Sequence, residues 1–136
     1  MTLKIYCDSN IFIDYFDERS DNLRPLKDFA FEFFSRGWNC AFELIISDWL
    51  KTELKRHLED KQINDIFNRF KENNKLIIVK EEKGDREKAR KISKHWDDAL
   101  HAILAKKANA DFLTTRNIPH YAGCENLVKI VFPEFI

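Results

Sequence analysis

Apolar and polar positions alternate along the chain in two kinds of block, short apolar runs and longer stretches with helical spacing. Leu3 to Cys7 is a short apolar run ending in Asp8-Ser9-Asn10, three residues that favour a helix start, so it predicts a strand and then a helix to about Phe16. From Asn22 to Arg36, Leu23, Leu26, Ala30, Phe33 and Phe34 recur at three- and four-residue spacing. That is one stripe of a second helix, with Gly37 placed to end it. Cys40 to Ile46 reads as a strand, and Ser47 as the cap of a helix from Asp48 to about Glu59 with Leu50, Leu54 and Leu58 as its buried ridge. A shorter helix is expected over Asn64 to Lys71.

Leu76 to Val79 is a β-branched run between polar neighbours, a third strand, and Asp85 to Ser93 is polar enough for a solvated helix. Asp97 to Ala105 has strong helix formers and a nearly continuous apolar circumference. It predicts a helix covered on most sides, with Asp97 as its N-cap. Phe112 to Thr114 and Leu127 to Phe132 read as the last strands. Strands alternating with helices imply a three-layer α/β/α sandwich with a mainly parallel central sheet. The 136 residues, without internal repeat or Gly/Ser-rich linker, fit a single domain spanning 1–136.

Composition narrows the function. Lys plus Arg and Asp plus Glu are 23 each, so whole-molecule attraction to nucleic acid or an anionic membrane is excluded and any such binding must come from a local patch. The balance hides an asymmetry: residues 1–68 carry 9 basic and 13 acidic side chains, and residues 69–136 carry 14 and 10. Three glycines cannot assemble a P-loop, a GxGxxG turn or a GxSxG elbow, which removes support for nucleotide-cradling and serine-hydrolase chemistry. Cys7, Cys40 and Cys124 are widely spaced without a CxxC pair, so neither a disulfide framework nor a cysteine zinc site is suggested and a cytoplasmic location fits. Secretion and membrane insertion are disfavoured, since no run approaches the roughly eighteen apolar residues a span needs.

In a parallel α/β sheet, ligands gather outside the carboxyl ends of the strands. The polar residues placed there are Asp8 after the first strand, Glu53 in the helix after the second, Asp98 at the start of the buried helix, and Thr115-Arg116-Asn117 after the strand at 112–114. Three converging carboxylates repel one another unless a cation sits between them. Oxygen-only donors suit Mg²⁺ or Mn²⁺, and such a cation supports phosphodiester hydrolysis by activated water. Each residue also has a plainer role. Asp8 could cap its helix, Glu53 at the edge of its ridge could be solvated, and His101, one turn after Asp98, could orient that acid or be a core histidine. His57 and His120 have no partner at metal-ligand spacing, and the bases between Lys83 and Lys94 could be a phosphate footprint or a solvated helix face.

These residues resemble the PIN domain family, and within it the VapC-like toxins of toxin–antitoxin pairs. The likeness is carried by Ile5-Tyr6-Cys7-Asp8-Ser9-Asn10, by Ile45-Ile46-Ser47 followed by Glu53, by Asp98-Ala99-Leu100-His101-Ala102, and by Leu113-Thr114-Thr115-Arg116-Asn117. The resemblance implies a Mg²⁺- or Mn²⁺-dependent endoribonuclease with Asp8, Glu53 and Asp98 as metal ligands and Asn117 beside them in the catalytic set. It places Ser9, Asn10, Thr115 and Arg116 on the side of an RNA substrate. Asn117 stands where an Asp is often found in the family, and His120 falls near a place where some members carry another acid. The site then holds about three formal negatives, and a second metal would be held weakly.

The resemblance also implies an antitoxin protein as partner. Surplus apolar surface on the first helix, at Ile11, Phe12, Ile13, Tyr15 and Phe16, and Phe31 off its helix's stripe, suit such a partner or a homodimer. Two other readings stay open: a degenerate PIN domain that binds RNA or protein without cutting, and a Mg²⁺-dependent phosphatase.

Overall fold

The computed structural model describes residues 2–17, 20, 21 and 24–136. Five parallel strands form one sheet in the order β5-β4-β1-β6-β7: β1 Leu3–Cys7, β4 Phe42–Ser47, β5 Leu76–Val79, β6 Phe112–Thr114 and β7 Lys129–Val131. β2 Ser20–Asp21 and β3 Arg24–Pro25 form a separate antiparallel pair. The helices are α1 Ser9–Phe16, α2 Leu26–Trp38, α3 Asp48–Leu54, α4 Asp60–Glu72, α5 Asp85–Ile92 and α6 Trp96–Lys107. The chain is thus the expected α/β/α sandwich.

The period-two alternation of side chains along a strand decides which layer each residue serves. Ile5 and Cys7 of β1, with Phe42, Leu44 and Ile46 of β4, face a core shared with α1, α2 and α4. Tyr6 and Ile45 point the other way, into a core made with Ala99, Leu100, Ala102, Ile103, Leu104 and Ala105 of α6. This second core covers α6 on nearly all sides, as its apolar circumference predicts.

Several boundaries differ from the sequence-based expectation, each for a local reason. The helix expected from Asp48 to Glu59 ends at Leu54, and α4 starts at Asp60 rather than Asn64 because Glu59 and Gln62 form a reciprocal capping box, Glu59 N donating to Gln62 Oε1 at 2.9 Å. Leu58 nevertheless packs against the core. α6 begins at Trp96 with His95 as N-cap; Asp97 lies inside the first turn, its Oδ1 accepting from Asp98 N at 3.1 Å. Of the expected α2 start, Asn22 and Leu23 lie outside the described residues. β4 starts at Phe42 and runs one residue further than expected, and the last strand is confined to 129–131.

Gly37 does not end α2 but lies buried inside it, and Cys40, at φ 67°, takes the left-handed position after the helix. A Cβ on Gly37 would stand 2.5 Å from the Phe70 ring and 2.7 Å from the Phe42 ring, both rings fully or almost fully buried. Gly-to-Ala at an exposed helix site stabilises by about 1 kcal/mol, but overpacking a filled core costs about 1–3 kcal/mol. Gly37→Ala is therefore expected to destabilise the fold by up to about 2 kcal/mol net, read as a lower urea midpoint at unchanged slope; a raised midpoint would show that the rings yield freely.

Candidate active site at the carboxyl edge of the sheet

Asp8 follows the last residue of β1 and continues the sheet, its N–H donating to Thr114 O at 3.0 Å. It occupies the N-cap position of α1, yet its side chain caps nothing. The carboxylate turns inward and is 3% exposed. Its Oδ2 accepts from Tyr121 Oη at 2.8 Å, Thr115 Oγ1 at 2.9 Å and Asn10 Nδ2 at 3.3 Å. Among the described residues its Oδ1 accepts only from Ser9 Oγ, at 3.3 Å. One oxygen is thus saturated by protein donors, and the other faces the cleft.

Glu53 comes from α3, whose start is fixed by Ser47 Oγ accepting from Leu50 N at 3.0 Å. Its Oε1 lies 2.5 Å from Nε2 of His101, a fully buried residue of α6. His101 Nδ1 lies 2.6 Å from Tyr6 Oη, which in turn lies 2.6 Å from Ser47 Oγ. A consistent set of roles runs through these contacts: Ser47 O–H donates to Tyr6, Tyr6 O–H to Nδ1, and Nε2–H to the Glu53 carboxylate. The hydroxyls of Ser47 and Tyr6 and both ring nitrogens of His101 then each have a partner. The core-histidine reading of His101 holds, but the acid it orients is Glu53, not Asp98; its Nε2 is also 3.9 Å from Asp8 Oδ1.

Asp98, in the first turn of α6, is the third carboxylate. Burial first, then the negative charges of Asp8 and Asp97, push it up to about 8, with His101 pulling the other way. Burial alone would lower the His101 pKa, but the Glu53 hydrogen bond and the charges of Glu53, Asp8 and Asp98 raise it. Burial raises the Tyr6 and Tyr121 hydroxyls well above their ordinary value, so both remain donors near neutrality. Asp8, Glu53 and His101 present ligand-type atoms within 4.8 Å of one another.

The segment after β6 closes around Asp8. Thr115 is fully buried, accepting from Asn10 Nδ2 at 3.1 Å and Asn117 N at 3.1 Å while it donates to Asp8. Arg116 turns its Nε to both oxygens of buried Asp14, at 3.0 and 3.2 Å, and its N–H meets Asn10 Oδ1 at 3.4 Å. Asn117 is half-buried at the start of the 3₁₀ turn Ile118–Tyr121. The pattern of the sequence did not single out Tyr6 or Tyr121, and it treated Ser47 only as a cap. Tyr6 read there as one position of an apolar run. His120, which has no partner at local spacing, does meet one in space, its Nδ1 lying 3.3 Å from Asp98 Oδ2. Of the basic stretch, Arg86 and Arg90 lie against the face of Trp96, and Arg86 pairs with Glu81.

The PIN domain family model matches residues 5–118, and the chain belongs to the PIN domain family. No curated protein matches it in sequence. Among solved structures, it is similar to FitAcB from Neisseria gonorrhoeae, with 14% identity, a TM-score of 0.56, and 97% of this chain and 99% of that one covered. It is also similar to FitAB bound to an IR36 DNA fragment, with 11% identity, a TM-score of 0.56, and coverage of 97% and 96%. At these identities the likeness bears on the fold, and it extends over whole chains. Among the described residues, no helix is long and apolar enough to cross a membrane.

The raised Asp98 value has a measurable consequence. In chelator-treated protein the folded chain holds this proton to about pH 8, whereas an unfolded chain releases it near about pH 3.9. The folded state therefore binds more protons across that window, and stability falls as pH rises through it. His101, also raised, acts in the same direction. Urea unfolding from pH 5 to 8 is expected to show this decline in wild type and a much flatter profile in Asp98→Asn; identical slopes in the two proteins would contradict the assignment.

Proposed function

We propose that this chain is a metal-dependent endoribonuclease that hydrolyses RNA phosphodiester bonds by activated water, and that it is the toxin of a toxin–antitoxin pair. The observation that carries the reading is that Asp8 and Glu53 present ligand atoms within 4.8 Å of each other, beside His101, and that the negative charges of both bear on Asp98. Their hard oxygen donors fit Mg²⁺ or Mn²⁺, and the upward push on Asp98 is the cost that a divalent cation would remove.

Asp8 Oδ1 and the Asp98 and Glu53 carboxylates are the groups that would hold the ion. When bound, a divalent cation polarises a phosphate oxygen and lowers the pKa of water. The remaining work belongs to the chain. Tyr121, Thr115 and Asn10 fix Asp8 through one oxygen, so the other stays aimed without losing rotamer freedom at the moment of binding. His101 holds Glu53 through Oε1, which leaves the second oxygen to accept a proton from the attacking water. In this reading Asn10 and Thr115 hold the carboxylate rather than touch RNA, because both are buried and spent on internal hydrogen bonds. Ser9, half-buried beside Oδ1, and Asn117 at the cleft edge remain the polar groups for substrate. Arg116 keeps part of its side chain exposed beyond its Asp14 pair.

An antitoxin partner is supported by the apolar surface left on α1 and α2, where Phe31 is 55% exposed and stacks on Tyr15, and by the shared fold with FitAB. Asn117 in place of an acid favours one other reading, a PIN domain that binds RNA without cutting it.

The test pairs calorimetric Mn²⁺ titration with a gel of mixed RNAs. Wild type is expected to bind the ion and cleave only when it is present, while Asp8→Asn and Asp98→Asn still unfold in one cooperative thermal transition and lose about a hundredfold or more of the rate, the scale of one lost electrostatic contact in a transition state. RNA binding with no cleavage in wild type would favour the non-cutting reading, and release of inorganic phosphate from small esters with RNA intact would point to a phosphatase.

A further inference from the structure

Beside the carboxylate cleft lies a second group of potential ligands with different chemistry. His95, Asp98 and His120 present ligand atoms that all lie within 4.8 Å of one another. His95 and Asp98 are three residues apart at the start of α6, which places them on one helical face. His120 arrives from the 3₁₀ turn after β6, its Nδ1 3.3 Å from Asp98 Oδ2. The two imidazoles stack in parallel, centroids 4.3 Å apart and planes 4° from parallel, so they approach the same carboxylate side by side.

The placement is built rather than loose. His95 caps α6, its carbonyl accepting from Asp98 N and Ala99 N at 3.1 and 3.0 Å, and its own N–H bonds Ser93 Oγ at 3.0 Å. His120 is fixed by its neighbour Tyr121, which is buried with its hydroxyl on Asp8. Yet the His120 side chain is 47% exposed, open to an ion from solvent. In a tetrahedral site with bonds of about 2.0–2.1 Å, ligand atoms stand roughly 3.3–3.5 Å apart. The Asp98–His120 pair already has that spacing at 3.3 Å, and the remaining gaps, each within 4.8 Å, would close by up to about 1.5 Å through side-chain rotation at the surface.

We propose that His95, His120 and Asp98 form a second cation site, one that takes Zn²⁺ or a similar transition ion through two imidazole nitrogens and one carboxylate oxygen. Two nitrogens favour borderline metals over Mg²⁺, which selects oxygen. Three protein ligands leave a fourth position for water or a phosphate oxygen. The site shares Asp98 with the cleft, but its existence does not depend on what the cleft cuts, or on whether it cuts at all.

The probe is Zn²⁺ itself, titrated into the full chain by calorimetry, with proton NMR of the imidazole signals assigned by the variants. Zn²⁺ is expected to bind wild type and to shift the His95 and His120 rings at substoichiometric metal. His95→Ala and His120→Ala are each expected to weaken Zn²⁺ by about tenfold or more, at least the loss seen when a ligand's outer partner is removed. Mn²⁺ affinity should stay unchanged in both. Glu53→Gln should leave Zn²⁺ affinity within about threefold while weakening Mn²⁺. No Zn²⁺ binding to wild type would overturn the proposal, as would Zn²⁺ affinity that is indifferent to both histidines and lost in Glu53→Gln, since the ion would then sit in the carboxylate cleft. Loss of Mn²⁺ binding in wild type with Zn²⁺ retained at the histidines would instead remove the nuclease reading and leave this site standing.

Discussion

Asp8 is a buried carboxylate that takes three hydrogen bonds on one oxygen, and those bonds tie together parts of the chain that share little else. Tyr121 and Thr115 lie more than a hundred residues away in sequence, and Asn10 belongs to the helix that Asp8 begins. An unpaired carboxylate at this depth would cost several kcal/mol, so the segment after β6 has to fold back over the end of β1. The parallel pairing of Cys7 with Thr114 brings Thr115 into reach. Arg116 then locks the same segment to α1 through Asp14. The carboxyl ends of β1 and β6 are thereby held together around the Asp8 carboxylate.

The opposite wall obeys the same rule by different means. Strand alternation sends Tyr6 toward α6, away from its neighbours Ile5 and Cys7, and a phenol buried there needs a partner. His101 and Ser47 supply it, and the imidazole passes the requirement on to Glu53. The polar chain therefore does two things at once. It satisfies groups that the core could not otherwise tolerate, and it delivers a carboxylate to the cleft at a set distance from Asp8. Position in the core and position in the site are here a single demand.

The sheet and its layers were legible because strand runs and helical stripes report burial directly: β1, β5 and α6 lie close to where their patterns put them. Asp8, Glu53 and Asp98 could be put forward as candidates because a parallel sheet gathers ligands beyond the carboxyl ends of its strands, although position alone also allowed a cap for Asp8 and solvation for Glu53. What periodicity cannot report is pairing across the fold. Tyr6 read as an apolar position, His120 as a solitary histidine, and Tyr121 drew no reading at all, since their partners lie 95, 22 and 113 residues away. Gly37 misled for a related reason. Glycine marks a helix end by its backbone freedom, but here it serves the approach of the Phe42 and Phe70 rings, a contact local spacing does not reveal.

Asp98 is where these demands meet and where the charge count becomes decisive. Its carboxylate is pushed toward the neutral form by burial and by Asp8, so any cation that settles beside it gains by restoring its charge. The environment is not symmetric. On one side stand the oxygens of Asp8 and Glu53, and on the other the stacked rings of His95 and His120, nearest through Oδ2. A carboxylate can offer an oxygen to each side, but it brings only one charge, so two cations held at once would divide it and each would be bound less tightly than it would be alone. His120 brings a donor to Asp98 without adding a negative charge. The two proposed sites would therefore sort hard and borderline ions by ligand type across the width of one side chain, and occupancy of either would be coupled to the other through Asp98.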